Sequence, residues 1–250
     1  MKPRIGVFTY HFSDNVGALL QAYGLVNFLR GQGIDATIID YHPAHVESGG
    51  SFQVPLSKQK IRADLVIVYQ KLTGLMSQLF GQEEQREKTT SFRAEHLHVE
   101  GRKYLTIGDL QQYAPKESVY ICGSDQIWNP SPQFGIDPAY FLNFGESSKV
   151  RLSYAASFGK DSLDTRYWKE VTSLLKNFDA ISVREESGVE IVKQLTVGSA
   201  RWLPDPTLLI ENYDPILRHP SESQPYIFSY VLRSGKDIVE LQRYLAEKYN

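Results

Sequence analysis

The sequence predicts an α/β fold in which an open, mostly parallel sheet is flanked by helices. Residues 5–41 show the pattern of strand, helix and strand, and a unit of this length implies parallel pairing with a right-handed crossover. Several later apolar runs end in glycine or small polar residues, as strands do where an open sheet presents a site. The chain has 250 residues, 42% of them hydrophobic, which is enough for a sizeable core.

The first unit begins with an apolar strand at 5–10 and continues into a polar loop at 11–17. Residues 18–30 are predicted to form a largely buried helix, because their apolar side chains recur at three- and four-residue spacing. Residues 36–41 form the second strand. The glycine spacing of a dinucleotide-binding loop is absent, so we interpret Asp40 as a strand-end residue and not as a ribose ligand.

Residues 58–98 interrupt this alternation and are predicted to form a helical excursion over the sheet edge. Residues 61–80 carry apolar side chains at helical spacing, and 83–97 continue as a charged helix. Basic residues precede the apolar face, so a peripheral contact with a membrane surface is the alternative interpretation. His96 and His98 are two positions apart and cannot share a metal on a helix, so we interpret both as surface histidines.

The central strand is predicted at 119–123, and a polar loop follows it. The single cysteine of the chain, Cys122, lies in this strand and is expected to be a buried, inert thiol. Further strands are predicted at 149–159, 180–188 and 201–209, with helices at 168–176 and 189–195. Polar loops therefore follow four strands, at 11–17, 123–129, 157–160 and 184–188. Strand exits of a parallel sheet lie on one edge, so we expect these loops to converge there.

A polar, proline-flanked segment at 211–224 predicts a linker between domains. The first domain is then 1–210. A strand and a helix at 225–250 either begin a second, incomplete domain or join the first sheet.

Composition excludes several classes of function. The net charge of -2 and the absence of charge blocks give no indication of nucleic-acid binding. A single cysteine excludes an internal disulfide and fits a reducing compartment. No signal peptide and no apolar run of membrane-spanning length is present. No histidine, cysteine and aspartate cluster with metal-ligand spacing is found, so neither a metal site nor a cofactor is predicted.

Five ordered motifs point to a family. They are residues 14–23 (DNVGALLQAY), 122–129 (CGSDQIWN), 153–159 (SYAASFG), 181–185 (ISVRE) and 205–209 (DPTLL). In these motifs the chain resembles the polysaccharide pyruvyl transferase family. The resemblance implies a Rossmann-like first domain of a two-domain architecture similar to glycosyltransferases of the B type. It also implies transfer of an enolpyruvyl group from phosphoenolpyruvate to two hydroxyls of a sugar, in the cytoplasm, where bacterial surface polysaccharides are assembled.

The chemistry of this transfer suggests roles for residues in the motifs. Asp14 or Asp125 would act as a base or bind sugar hydroxyls. Arg184 would bind a carboxylate or a phosphate, and its alternative is an ion pair with Glu185 or Asp205. The candidate substrate-binding residues are Asn15, Gly17, Ser124, Gln126, Trp128, Asn129, Ser157 and Glu185. Stacking of Trp128 on a sugar and packing in the core remain equal alternatives. Asp205 is interpreted as a structural turn, and the general acid stays unassigned.

Two other functions fit the same fold. A nucleotide-sugar-dependent glycosyltransferase would share the architecture, because a fold does not determine a reaction. A non-catalytic glycan-binding module is the second alternative. The implied partners are the phosphoenolpyruvate donor and a sugar or lipid-linked oligosaccharide acceptor, with no nucleic acid. The acceptor sugar, the ketal stereochemistry and the oligomeric state are not predicted.

Overall fold

A five-stranded parallel sheet forms the centre of the computed structural model. The structure describes residues 3–43, 83–133, 135–196, 198–217, 227–229, 231 and 235–249. The strands are β1 (Arg4–Phe8), β2 (Asp35–Tyr41), β3 (Val99–Tyr104), β4 (Val119–Gly123), β5 (Val150–Tyr154), β6 (Ser182–Val183) and β7 (Arg201–Trp202). The α-helices are α1 (Val16–Gly31), α2 (Glu83–His96), α3 (Ile107–Gln112), α4 (Trp168–Leu175), α5 (Glu186–Leu195) and α6 (Lys236–Tyr249).

The strand order of the sheet is β3-β2-β1-β4-β5, and every pairing is parallel. Val7 in the middle strand pairs with Ile38 on one side and Ile121 on the other. The central strands β1 and β4 are buried apolar runs because the middle of the sheet is covered on both faces, whereas the edge strand β3 is largely exposed. Parallel bridges at Leu152–Ala180 and Ala156–Val183 lead from β5 towards β6, which pairs with β7, also in parallel. The predicted parallel α/β fold is confirmed.

Most predicted elements are present, and local backbone geometry accounts for the differences. The strand predicted at 149–159 ends at Tyr154, because Ala155 adopts a left-handed conformation with φ of 48°. The strand predicted at 180–188 is wrong beyond Val183, because α5 begins at Glu186. The strand predicted at 201–209 ends at Trp202, and the turn predicted at Asp205 follows it. There Asp205 caps a 3₁₀ helix, Pro206–Leu209, by accepting a hydrogen bond from the Thr207 amide.

Of the predicted helical excursion, the structure describes the helix at 83–97, which is present as α2. The first part of the excursion, 61–80, lies outside the described residues, as do the basic residues that suggested a membrane contact. In the predicted strand at 225–232, the described residues are not part of a strand. Among the described helices none is long and apolar enough to cross a membrane. The chain divides into two units, Met1–Glu211 and Asn212–Asn250, and the first contains the described strands.

Helix α1 packs closely against the turn at Pro206–Leu209 through a glycine. A Cβ atom added to Gly24 would lie 2.5 Å from the Pro206 carbonyl oxygen and 2.8 Å from its carbon. These are backbone atoms, so the contact cannot be relieved by a side-chain rotation. Gly31, in the same helix, has nothing within 4 Å of its added Cβ.

The loop after β1 is attached to α2 by charged contacts. The Asp14 carboxylate accepts hydrogen bonds from the Thr89 hydroxyl at 2.7 Å and from Arg93 Nη2 at 2.9 Å. Arg86 Nε lies 3.6 Å from the other carboxylate oxygen. Partial burial raises the pKa of Asp14, but the bonds to Thr89 and Arg93 outweigh it and hold the pKa below its ordinary value.

We expect Gly24→Ala to lower the free energy of unfolding by about 1–3 kcal/mol, as overpacking against a fixed backbone does. Gly31→Ala is the matched control. It should be neutral or stabilise by up to about 1 kcal/mol, because alanine is the better helix former. Urea denaturation followed by circular dichroism measures both. Equal stability of the two variants would show that the close approach to Pro206 does not constrain α1.

Asp14→Asn should lower the free energy of unfolding at pH 7 by about 1 kcal/mol or less, because the ion pairs are partly exposed. Because the pKa of Asp14 is lower in the folded protein than in the unfolded chain, its carboxylate stabilises the fold at pH values above the unfolded-state pKa. This stabilisation is lost as the pH falls through the native pKa. The difference between wild type and Asp14→Asn should therefore shrink in acid. Thermal unfolding from pH 7 to pH 3 measures it, with Asp161→Asn, at an exposed position without an ion pair among the described residues, as the control. A difference that stayed constant with pH would rule out the ion pairs as its cause.

Candidate functional site

The carboxylate of Asp205 lies at the centre of a polar network on the carboxyl edge of the sheet. Its Oδ2 atom accepts hydrogen bonds from the Ser124 hydroxyl at 3.0 Å and from Arg184 Nη1 at 3.1 Å. Its Oδ1 atom accepts from the amide and the hydroxyl of Thr207. Asp205 therefore has the predicted role in a turn and also joins the exits of β4 and β6. The pairing of Asp205 with Arg184 is one of the alternatives that the sequence offered, whereas its bond to Ser124 was not predicted.

Arg184 is held between two carboxylates. Its Nη1 binds Asp205, and its Nε donates to Glu185 Oε1 at 3.1 Å. Burial lowers the pKa of Arg184, but the hydrogen bonds and charges of Asp205 and Glu185 outweigh it and raise the pKa above its ordinary value. The ion-pair alternative is therefore present in the structure, with both suggested partners. Its Nη2 has no hydrogen-bond partner among the described residues and is not a buried atom.

A buried serine from the exit of β5 extends the network. The Ser157 hydroxyl donates to Glu185 Oε1 at 2.7 Å and accepts a hydrogen bond from the Gly159 amide at 3.0 Å. The Arg184 amide donates to the carbonyl of Ala156, which fixes the two strand exits to each other. The predicted convergence of the loops is thus confirmed for the exits of β4, β5 and β6.

The two amide side chains of the β4 loop contact each other and the backbone of Gly159. Asn129 Nδ2 donates to Gln126 Oε1 at 2.8 Å. A Cβ atom on Gly159 would lie 2.5 Å from Gln126 Oε1 and 2.7 Å from Asn129 Nδ2, and its φ of +61° also favours glycine. Gly159 therefore allows both amides to approach the edge of the sheet.

Asp125 has a different electrostatic environment from the other acids of the site. Its Oδ1 accepts a hydrogen bond from the Gln126 amide at 2.7 Å. Burial raises the pKa of Asp125 above its ordinary value, and the hydrogen bond and the positive charge of Arg184 only partly oppose it. A carboxyl group of this kind keeps its proton to a higher pH than an exposed aspartate.

Ser124 and Trp128, like Ser157, are predicted site residues that are fully buried. Ser124 reaches the network through its bond to Asp205. The Trp128 ring stacks on Phe141 with centroids 5.0 Å apart, and its Nε1 donates to the Tyr140 carbonyl at 3.0 Å. The structure thus shows the core-packing alternative for Trp128, and no face of this ring is open to a sugar.

The first loop does not contact this network among the described hydrogen bonds. Asp14 is bound to α2, and Asn15 caps α1 by accepting a hydrogen bond from the Ala18 amide at 3.2 Å. Gly17 is exposed, and a Cβ there would lie 3.2 Å from the capping oxygen of Asn15. These contacts favour structural roles for Asp14, Asn15 and Gly17. Their predicted functional roles stay predictions.

A second group of polar side chains, which the sequence pattern did not predict, lies at the ends of β1 and β2. His11 Nε2 and His42 Nε2 lie 3.1 Å and 2.8 Å from Asp40 Oδ1. Asp40 is buried enough to raise its pKa, but the hydrogen bonds of both histidines outweigh this and hold the pKa well below its ordinary value. Nitrogen and carboxylate ligands for a metal ion therefore come together here, which a search by sequence spacing cannot find across 29 positions.

The Asp205 network can supply three kinds of chemistry. Arg184 Nη2, which none of the described residues binds, can bind an anion, and the carboxylates can accept protons or hydroxyl hydrogen bonds. The Gln126 and Asn129 amides are suited to hydroxyl recognition. Such a set fits a polyhydroxylated substrate together with a negatively charged group.

Comparison with known proteins identifies the family. The model of the family described as polysaccharide pyruvyl transferase matches residues 15–250, from the N-cap of α1 onwards. No curated protein and no solved structure matches significantly. The match includes every member of the Asp205 network, and the family is one of transferases. The chain therefore belongs to the polysaccharide pyruvyl transferase family.

Proposed function

We propose that the chain transfers an enolpyruvyl group from phosphoenolpyruvate to two hydroxyls of one sugar, forming a cyclic pyruvate ketal. The observation that carries the proposal is the half-buried Arg184 guanidinium, held between Asp205 and Glu185, with Nη2 unpaired among the described residues. It lies at the carboxyl edge of a parallel sheet, where open α/β folds bind ligands, in a chain of the pyruvyl transferase family.

The reaction requires a proton donor, a proton acceptor and a cation. A proton adds to the methylene carbon of phosphoenolpyruvate, and positive charge develops on the carbon that bears the phosphate. One sugar hydroxyl attacks this carbon, phosphate leaves, and a second hydroxyl closes the ketal. The two hydroxyls release two protons, one of which balances the new methyl group and one the departing phosphate.

Arg184 is the proposed contact for the donor's carboxylate or phosphate. Two carboxylates already neutralise the guanidinium, so an incoming anion must compete with them. Nη2 is available, and a two-pronged contact through Nη2 and Nε requires Glu185 to release Nε. Donor binding would then free the Glu185 carboxylate to accept a proton from a sugar hydroxyl, which couples donor binding to activation of the acceptor.

Asp125 is the proposed proton donor. Burial raises the pKa of this carboxyl group, so a larger fraction of it is protonated near neutral pH than for an exposed aspartate. The group can protonate the methylene carbon and recover a proton from an attacking hydroxyl. Gln126 and Asn129 lie in the same loop and are proposed to bind acceptor hydroxyls, with Ser124 and Ser157 orienting the charged groups.

The acceptor is proposed to be a sugar of a surface polysaccharide, free or as a lipid-linked oligosaccharide. Assembly of such material on a lipid carrier would place the reaction in the cytoplasm at the inner face of the membrane. A second domain of the predicted B-type architecture would supply the groups facing this edge.

Arg184→Ala should weaken phosphoenolpyruvate binding about 10- to 100-fold, because a hydrogen bond to a charged group contributes about 1.5–3 kcal/mol. Isothermal titration calorimetry measures it, with UDP-glucose and GDP-mannose as comparators. Arg166→Ala, at an exposed ion pair with Asp164, is the matched control and should bind like the wild type. Thermal unfolding establishes that both variants are folded.

Other outcomes of this titration favour other functions. A wild type that binds a nucleotide sugar and not phosphoenolpyruvate would indicate a glycosyltransferase. Equal binding of phosphoenolpyruvate by Arg184→Ala and Arg166→Ala would exclude the proposed donor contact.

Asp125→Asn should lower ketal formation about 10²- to 10⁴-fold, the usual contribution of general acid catalysis, with donor affinity unchanged. A group that acts in its protonated form works below its pKa, so the wild-type rate should fall as pH rises through the raised pKa of Asp125. Phosphate release against pH measures the rate. Asp161→Asn, at an exposed position, is the control. If Asp125→Asn no longer showed the fall in rate at high pH but kept the wild-type rate, the assignment of Asp125 as proton donor would be contradicted.

A further inference from the structure

A cluster of two histidines and one aspartate, His11, Asp40 and His42, lies at the ends of β1 and β2. One ligand atom from each side chain lies within 4.8 Å of the others, and both imidazoles approach the same oxygen, Asp40 Oδ1. The cluster shares no hydrogen bond with the Asp205 network among the described residues. It is therefore a separate feature of the sheet edge that the proposed transfer does not use.

The hydrogen bonds of His11 determine which of its nitrogens is available. Its Nδ1 lies 3.1 Å from the Thr9 carbonyl oxygen, which can only accept, so Nδ1 must carry the hydrogen. In the neutral ring Nε2 then has a lone pair, and this lone pair faces a carboxylate oxygen that is also an acceptor. Two acceptors at this distance need a shared hydrogen atom or a cation between them, and a metal ion is one such cation.

The surroundings of His11 resemble the outer shell of metal sites. A histidine that binds a metal commonly donates its other N–H to a backbone carbonyl, which fixes the tautomer and the ring orientation. The Thr9 carbonyl provides this acceptor, and the Thr9 hydroxyl accepts a hydrogen bond from Gln21 Nε2 at 2.8 Å. His11 is only 2% exposed, so its ring is held in place by packing.

His42 is also fixed in position. Its backbone amide donates to the Tyr104 carbonyl at 2.8 Å, and its ring packs against Phe12 with centroids 5.0 Å apart. The side chains of His42 and Asp40 are 17% and 21% exposed, so solvent reaches one side of the cluster. A three-ligand group with one open side is the arrangement of a site that keeps a position for water or a substrate oxygen.

We propose that His11, Asp40 and His42 form a binding site for a divalent transition-metal ion such as Zn²⁺. Two imidazole nitrogens and one carboxylate oxygen are ligands that Zn²⁺ accepts in a tetrahedral site. Ligand atoms around such an ion lie about 3.3 Å apart, given bonds of about 2.0–2.1 Å. The distances from the imidazoles to Asp40, 3.1 Å and 2.8 Å, need to grow by only a few tenths of an ångström.

Equilibrium dialysis of the chelator-treated 250-residue chain against Zn²⁺ tests the site. The wild type is expected to retain one ion per chain, measured by elemental analysis. Co²⁺ in the same site is expected to give the visible absorption of a tetrahedral ion. Asp40→Asn and His42→Gln should each weaken Zn²⁺ binding by about 100-fold or more, because loss of a direct ligand exceeds the 10–100-fold loss seen for outer-shell partners.

His96→Gln, on α2 and outside the cluster, is the matched control and should retain the ion. Asp40→Asn preserves the shape of the side chain, and His42 is partly exposed, so thermal unfolding can establish that at least one variant is folded. A wild type that retains no more Zn²⁺ than Asp40→Asn would overturn the proposal and leave a hydrogen-bonded cluster without a metal. Retention of the ion by both ligand variants would overturn it equally.

Discussion

The structure of the candidate site depends on one carboxylate, that of Asp205. Its two oxygens bind side chains at the exits of β4 and β6 and the first turn of the 3₁₀ helix at Pro206–Leu209. The same turn packs on α1 at Gly24, so the first βαβ unit and the last strands are fixed to each other at this point. Removing the carboxylate would leave Arg184 half-buried with one partner, and a poorly compensated buried charge is strongly destabilising.

The charge balance of the network suggests how it discriminates between ligands. An unpaired arginine would bind any small anion, whereas Arg184 faces two carboxylates and is already neutralised. An anion that takes Nε releases Glu185, and acceptor hydroxyl groups that satisfy the released carboxylate strengthen the binding of that anion. Donor and acceptor therefore favour each other's binding. The proposed transfer uses that coupling, because the carboxylate that leaves Arg184 is the group needed to accept a proton.

The sequence predicted the fold more completely than the site, for physical reasons. The spacing of apolar residues indicates which residues face the core, and glycines indicate where elements end. These patterns predicted bounds close to the observed ones for β1, α1, β2, β4 and α2. Strand polarity then predicted that the exits of β4, β5 and β6 would meet. Periodicity does not report which side chains bind each other across loops. The double role of Asp205, the burial of Trp128 and the meeting of His11 with Asp40 all depend on tertiary contacts.

The Asp205 network and the cluster of His11, Asp40 and His42 lie far apart along the edge of the sheet. Asp40 belongs to β2 and Arg184 follows β6, and β1, β4 and β5 lie between these strands. At about 4.8 Å per strand, the two residues are about 19 Å apart. A three-carbon donor bound at Arg184 is too short to reach an ion at Asp40. A metal ion at Asp40 would therefore not contact the phosphate of a donor bound at Arg184. An extended oligosaccharide is long enough to contact both, which makes the acceptor the only substrate of the proposed reaction that an ion at Asp40 could orient.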